Sequence, residues 1–149
     1  MLYDSLKILH ILSATMLLTG IVYSYYLWKR IQNPNEVIQA SQQIQTQTWL
    51  IVIPSALFQL MTGFTMISLK HYDYSELWIT SSVIGFIIVI GSWFSFVYFL
   101  LLSQQLVTEV QNATSTDFRF KFFRRIQSTL LILCLASLLS MVFFMANKV

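Results

Sequence analysis

Residues 77–102 read LWITSSVIGFIIVIGSWFSFVYFLLL, and no Asp, Glu, Lys or Arg interrupts them. At about 1.5 Å per residue, a helix of that length covers more than the roughly 30 Å hydrocarbon core of a bilayer. A lone strand would leave its backbone amides unpaired, and lipid offers them no partner. The stretch is therefore predicted to be a transmembrane helix. The same reasoning marks residues 5–28, 49–69 and 126–147 as spans. Four strands cannot close a barrel, so helix is the only sensible state for all of them. The predicted fold class is all-α: one integral membrane domain over residues 1–149, a four-helix transmembrane bundle of up-down topology.

Composition leads to the same class. Of 149 residues, 56% are hydrophobic and 10% charged, against about 25% charged in an ordinary soluble domain. Mean hydropathy is +0.67. So short a chain cannot hide that much apolar surface in one aqueous core. The formal charge of +3 signals orientation in a membrane protein rather than a nucleic-acid partner, because no basic run lies beside a soluble fold. A single cysteine, Cys134, makes neither an intrachain disulfide nor a zinc cluster and reads as a small buried hydrophobe. The first span is not read as a cleaved leader: Asp4 and Lys7 cancel, and the run ends in Trp28-Lys29-Arg30 with no A-x-A pattern.

The connections are short. Residues 32–48 are polar and Gln-rich, with Asn33-Pro34 as a helix stop, and residues 36–47 are expected to form an interfacial helix or an extension of the second span. Pro54, near the start of that span, predicts a modest kink at most. Lys29, Arg30, Arg119, Lys121, Arg124 and Arg125 fall in the first and third connections. The positive-inside rule makes that side cytoplasmic and puts both termini and the turn at residues 70–76 outside. Trp28, Trp49 and Trp78 mark span ends, as an interfacial belt would, and the mid-span Trp93 reads as a packing anchor.

Helices in lipid associate through small residues and interhelical hydrogen bonds. Stripes at helical spacing are His10, Ser13, Leu17, Gly20 and Ser24 in the first span; Ser55, Gln59, Thr62, Gly63 and Met66 in the second; Ser81, Gly85, Ile88, Ser92 and Ser95 in the third; and Thr129, Cys134, Ser137, Ser140 and Met141 in the fourth. These are expected to face inward. No span contains Asp or Glu, which disfavours a proton relay or ion-coupled transporter. No phosphate loop, Ser/His/Asp set or H-E-x-x-H motif is present.

The chemistry then concentrates on His10. Lys7 precedes it by three residues and shares its helical face. An inward imidazole is a candidate metal or b-type haem ligand, with Lys7 as propionate partner and a second axial ligand from Met66, Met141 or Met145. The competing reading is a histidine hydrogen-bonded to Ser or Thr, with Lys7 snorkelling to the headgroups. Gln59 and Thr62 are helix–helix contacts by default and a ligand lining by alternative. The methionines show no M-x-x-M pair and read as core filling rather than a copper site.

Four segments carry a family resemblance: LKILHILSATMLLTG, TWLIVIPSALFQLMTGFTMI, LWITSSVIGFIIVIGSWFSFVYFLLLSQQL and FFMANK. In their order and spacing the chain resembles a group of small bacterial inner-membrane proteins described only as predicted integral membrane proteins of unknown function. That group is distantly similar to HemJ-type and CopD-type membrane proteins. HemJ-like proteins begin with a similar K-x-x-H helix and are associated with haem and protoporphyrinogen oxidation. The match transfers to Lys7 and His10 alone; the further histidines of that family have no counterpart here, and a CopD-like copper ligand set is also missing. The resemblance implies a bacterial inner membrane and a haem-binding or redox-accessory role through His10. The contrasting expectation is a non-catalytic structural or assembly subunit whose partners are the lipid bilayer, other membrane subunits or a second copy.

Overall fold

The computed structural model describes residues 1–31, 34–110 and 117–146, apart from the side chains at 34–35, 110, 117–120, 123 and 144–146. It is helical throughout, with no strand among the described residues. In order come α1 (Leu2–Arg30), α2 (Pro34–Gln47), a π-turn (Thr48–Val52), α3 (Ile53–Lys70), α4 (Leu77–Val110) and α5 (Asp117–Ala146). Among the described residues, four helices are long and apolar enough to cross a membrane: Leu2–Arg30, Glu36–Lys70, Leu77–Glu109 and Arg124–Phe143. Between 22% and 28% of each most apolar window is buried within the chain, so the larger part of every window is not fully covered by the chain's own helices.

The Gln-rich segment is an extension of the second span. α2 runs without a break through the π-turn into α3, and the Ile53 amide donates to the Thr48 carbonyl five residues back. Pro54 explains the widened turn. Its ring clashes with the carbonyl four residues earlier, at Leu50, and it has no N–H to offer; one extra residue in the turn relieves both. At the far end α3 stops on His71, whose φ of 52° and ψ of 37° are left-handed. The Tyr72 amide reaches back to Ile67 at 3.3 Å and the His71 amide to Ser68 at 3.4 Å, a Schellman closure. In the following turn Asp73 accepts the Ser75 amide at 3.0 Å. That bond holds the exposed Asp73 carboxyl below its ordinary range.

Packing is unequal along the bundle. α4 and α5 pair most extensively and α1 pairs with α3; α1 also meets α5 and α2, and α2 meets α4. Near the Lys/Arg-rich end, therefore, α1, α5, α4 and α2 form a closed square. Trp28 of α1 crosses its diagonal to Phe96 of α4, with ring centroids 6.2 Å apart and planes at 89°. Trp93 packs on the same Phe96 at 5.5 Å. Beyond the π-turn the square opens, because α3 meets α1 but neither α4 nor α5 among the described residues.

The stripes of the first two spans face inward as expected: Ser13, Leu17, Gly20 and Ser24 on α1 and Ser55, Gln59 and Thr62 on α3 are buried. On α4 the inward face is rotated. Ile79, Ser82, Phe86, Val89, Ser92, Trp93, Phe96, Leu100 and Ser103 are buried, whereas Ile88 is exposed. On α5, Gln127, Leu131, Cys134, Leu138 and Met141 are buried, while Thr129 and Ser140 face outward. Hydroxyls tolerate that position because they bond their own helix: Ser95 to Gly91 O at 2.8 Å and Thr129 to Arg125 O at 2.9 Å. Trp28 is fully buried rather than interfacial; its ring fills the diagonal of the square, leaving Trp49 as the exposed tryptophan.

Candidate functional site

The densest intramembrane polar cluster joins α1 to α3. His10 Nδ1 lies 2.8 Å from Thr62 Oγ1, and Gln59 Nε2 lies 2.9 Å from His10 Nε2. Ser13 donates to Gln59 Oε1 at 2.5 Å and reaches its own helix at His10 O, 2.9 Å away. Thr62 also donates to Phe58 O at 2.6 Å. These bonds together imply a tautomer. The Thr62 proton points at its own backbone, so Thr62 accepts the proton on Nδ1. The Gln59 amide then donates to the bare Nε2. The imidazole is neutral, and both of its ring nitrogens are engaged.

Helical spacing produces this arrangement. Gln59 and Thr62 are three apart on α3, and His10 and Ser13 are three apart on α1, so each pair presents one face. Gly63 supplies the room. A Cβ there would sit 3.3 Å from His10 Cε1, so glycine lets the ring lie against the α3 backbone. Two turns beyond, Lys70 Nζ stands 4.8 Å from the centroid of the Tyr3 ring and ties the two helix ends together.

Further interhelical contacts follow along the chain. Gln47 donates to Gly20 O at 3.0 Å, and Ser24 donates to Gln47 Oε1 at 3.3 Å, where the π-turn meets α1. Ser41 and Gln45 both reach Gln104 Oε1, at 3.0 and 3.3 Å, and join α2 to α4. Gln127 donates to Ser103 Oγ at 3.2 Å, and Cys134 Sγ reaches Val89 O at 3.4 Å, between α5 and α4. Sequence reading singles out Gln59 but not Gln47, Gln104 and Gln127. The available signal was the amide itself, a glutamine inside or at the end of an apolar run.

The candidate ligand set is only partly brought together. Lys7 is exposed on α1, one turn before His10. Met66 is half-buried on α3, one turn beyond Thr62 and on its face. Met141 belongs elsewhere: it is buried between α5 and α4, where a Cβ on Gly85 would come within 2.5 Å of its Cγ. The Met145 side chain lies outside the described residues. No group of three or more His, Cys, Asp or Glu side chains among the described residues is arranged to hold a metal ion.

The chain matches no curated protein and no solved structure, and no likeness to HemJ-type or CopD-type proteins is shown. A family model described as "Predicted integral membrane protein (DUF2269)" matches residues 4–149. With nearly its whole length covered, and with four apolar helices of spanning length, the chain belongs to that family of integral membrane proteins of unknown function.

Proposed function

We propose that this protein is a non-catalytic membrane subunit, a scaffold whose intramembrane polar residues hold its own helices together. The observation that carries the reading is the His10 joint. Both ring nitrogens are hydrogen-bonded across the α1–α3 contact, so the imidazole has no free lone pair for iron or another metal. The opening between α3 and the α4–α5 pair supplies a place for a helix of another membrane subunit or of a second copy. The reading places the protein in a bacterial inner membrane, with the Lys/Arg-rich end at the cytoplasm and both termini on the periplasmic side. The distribution of cations supports that orientation.

A b-type haem on His10 is the second reading. Met66, on the same α3 face as Thr62, favours it. Lys7 would meet a propionate at the wet boundary, and the Gln59 amide would have to leave Nε2. Bound haem would supply one-electron chemistry, and His10 and Met66 are the residues that would hold its iron. As placed, Gln59 occupies the required nitrogen and Met141 lies in another contact, so the residues do not fit the group.

The test is a reduced-minus-oxidised absorption spectrum of detergent-purified protein, with and without added haem, beside His10→Ala. A flat spectrum in both proteins is the expected result. A Soret and α-band pair in the native chain that disappears in His10→Ala overturns the scaffold reading. Oxidation of protoporphyrinogen above background by the purified chain would overturn it in favour of a HemJ-like oxidase.

A further inference from the structure

The side chains that α2 and α3 leave uncovered change character at one point. On α2 the exposed residues are Glu36, Gln39, Gln42, Gln43 and Thr46, all of them polar. From Trp49 onward they are mostly apolar: Trp49, Leu50, Leu57, Phe58, Met61 and Phe64 are between 47% and 72% exposed. In hydrocarbon the outward amides of α2 would find no partner. In water the outward rings and aliphatic groups of α3 would form a large bare apolar surface. One continuous helix therefore passes from one solvent to another, and the crossing lies at Trp49. From Trp49 to Lys70 it rises about 30 Å, the thickness of a hydrocarbon core.

Interhelical hydrogen bonds carry that level to the other helices. Gln47 bonds both Gly20 O and Ser24, which sets Val22 and Tyr23 of α1 beside the π-turn. Past Val22 the exposed residues of α1 are Tyr23, Tyr26, Lys29 and Arg30, with no aliphatic side chain among them. Ser41 bonds Gln104 at 3.0 Å and lies about 12 Å along its helix from Trp49. The same distance back along the antiparallel α4 reaches Phe96, and Tyr98 stands exposed just beyond. Gln127 bonds Ser103, which places the level near Cys134 on α5. There the exposed side chains change from Arg125 and Thr129 to Ile132 and Leu133. Tyrosines aside, Leu101 and Phe122 are the exposed apolar side chains beyond this level among the described residues. At the far end Tyr3 meets Lys70, and Tyr3 is also about 30 Å from Tyr23 along α1.

Trp and Tyr suit a membrane–water boundary because each ring has an apolar body and a polar edge. We infer that the lipid-facing surface ends in an aromatic ring at Tyr23, Trp49 and Tyr98, set among the headgroups, and that α2 with the adjoining ends of α1, α4 and α5 stands about 20 Å beyond the hydrocarbon as a water-facing four-helix head. The assignment is independent of the scaffold reading, because neither His10 nor the opening beside α3 takes part.

Cysteine accessibility of the purified chain in dioleoylphosphatidylcholine nanodiscs tests it, with both membrane faces open to solvent. The probe is a sulfonated maleimide, whose charge keeps it out of hydrocarbon. The native chain is the blank, since Cys134 is buried. Gln39→Cys and Gln43→Cys report on the head, Leu57→Cys and Met61→Cys on the span. All four positions are exposed on the chain itself, so the bilayer is what tells them apart. The head pair is expected to label at least about tenfold faster than the span pair, and all four equally once dissolved in SDS. Should one member of a pair fail to fold, the other carries the comparison. Head cysteines that react as slowly as the span pair place α2 in the bilayer and overturn the proposal. Span cysteines that react as fast as the head pair overturn it as well, since Trp49 then marks no boundary.

Discussion

Replacing Gln59 with leucine tests the His10 joint where its bonds converge. The substitution keeps bulk and removes two contacts, the amide on His10 Nε2 and the carbonyl that accepts Ser13. Ser13 keeps a partner in His10 O, so one group, the imidazole Nε2, is left without a donor. An interhelical hydrogen bond in a bilayer contributes about 0.6 kcal/mol on average and about 1.7 at most. An orphaned buried acceptor adds about 1–3 kcal/mol. Because His10 is only partly buried, the low end applies, and Gln59→Leu is expected to cost about 1–3 kcal/mol. His10→Ala strands the Gln59 amide and leaves a cavity, for about 2–4 kcal/mol. In the double variant neither stranded polar group remains. Its cost should therefore fall short of the sum of the singles by about 1 kcal/mol or more. Reversible SDS titration of purified protein, followed by circular dichroism, gives the four stabilities. Singles below about 0.5 kcal/mol that add without coupling would refute the claim that this cluster holds α3 to α1.

Other expectations concern single positions. Gly85→Ala meets the Met141 stem and should destabilise the α4–α5 pair by about 1–3 kcal/mol, with Met141→Ala in the same chain restoring part of the loss; the SDS midpoint reads both. Gly91 has open space where a Cβ would stand, so Gly91→Ala should leave the midpoint unchanged or raise it by up to about 1 kcal/mol. Gly63→Ala presses on His10 Cε1 and should weaken the joint without removing a hydrogen-bonding group; a drop in midpoint that disappears in the His10→Ala background is the expected sign. His71→Gly relieves a left-handed residue at the α3 terminus and should stabilise by up to about 1 kcal/mol in thermal unfolding.

The spans are legible in the sequence because apolar length is a one-dimensional signal, and residues 77–102 carry it without interruption. α2 was half-legible: Val37, Ala40, Ile44 and Gln47 recur at helical spacing and all are buried, yet the surrounding glutamines fit an interfacial helix equally well. The rotation of α4 was hidden. Phe, Ile, Val and Leu cover its whole circumference, so apolar periodicity cannot say which side meets α5. The small-residue rule also misleads there, since Ser95 bonds its own backbone and faces outward without penalty. At the candidate site, spacing identified His10, Gln59 and Thr62 as one interhelical face. It could not show that the Gln59 amide occupies Nε2, because that depends on the register between two helices nearly fifty residues apart.

That register has a consequence for the whole bundle. Lipid tails are as apolar as leucine, so no hydrophobic force pulls a span back once it separates from its neighbour. α4 and α5 are held by extensive packing and by Ser103–Gln127, and α2 is held by both α1 and α4. Past the π-turn, α1 is the one other transmembrane helix that α3 meets among the described residues. The π-turn and Pro54 loosen its connection to α2, because the regular backbone ladder is interrupted there. The attachment of this half-span to the bundle therefore rests on the packing against Gly63, the Tyr3–Lys70 contact and the His10–Gln59–Thr62 bonds. A histidine used in this way needs both nitrogens in hydrogen bonds and a neutral ring, whereas a haem ligand needs one nitrogen free. The two uses exclude each other in a single geometry, and the contacts described satisfy the first.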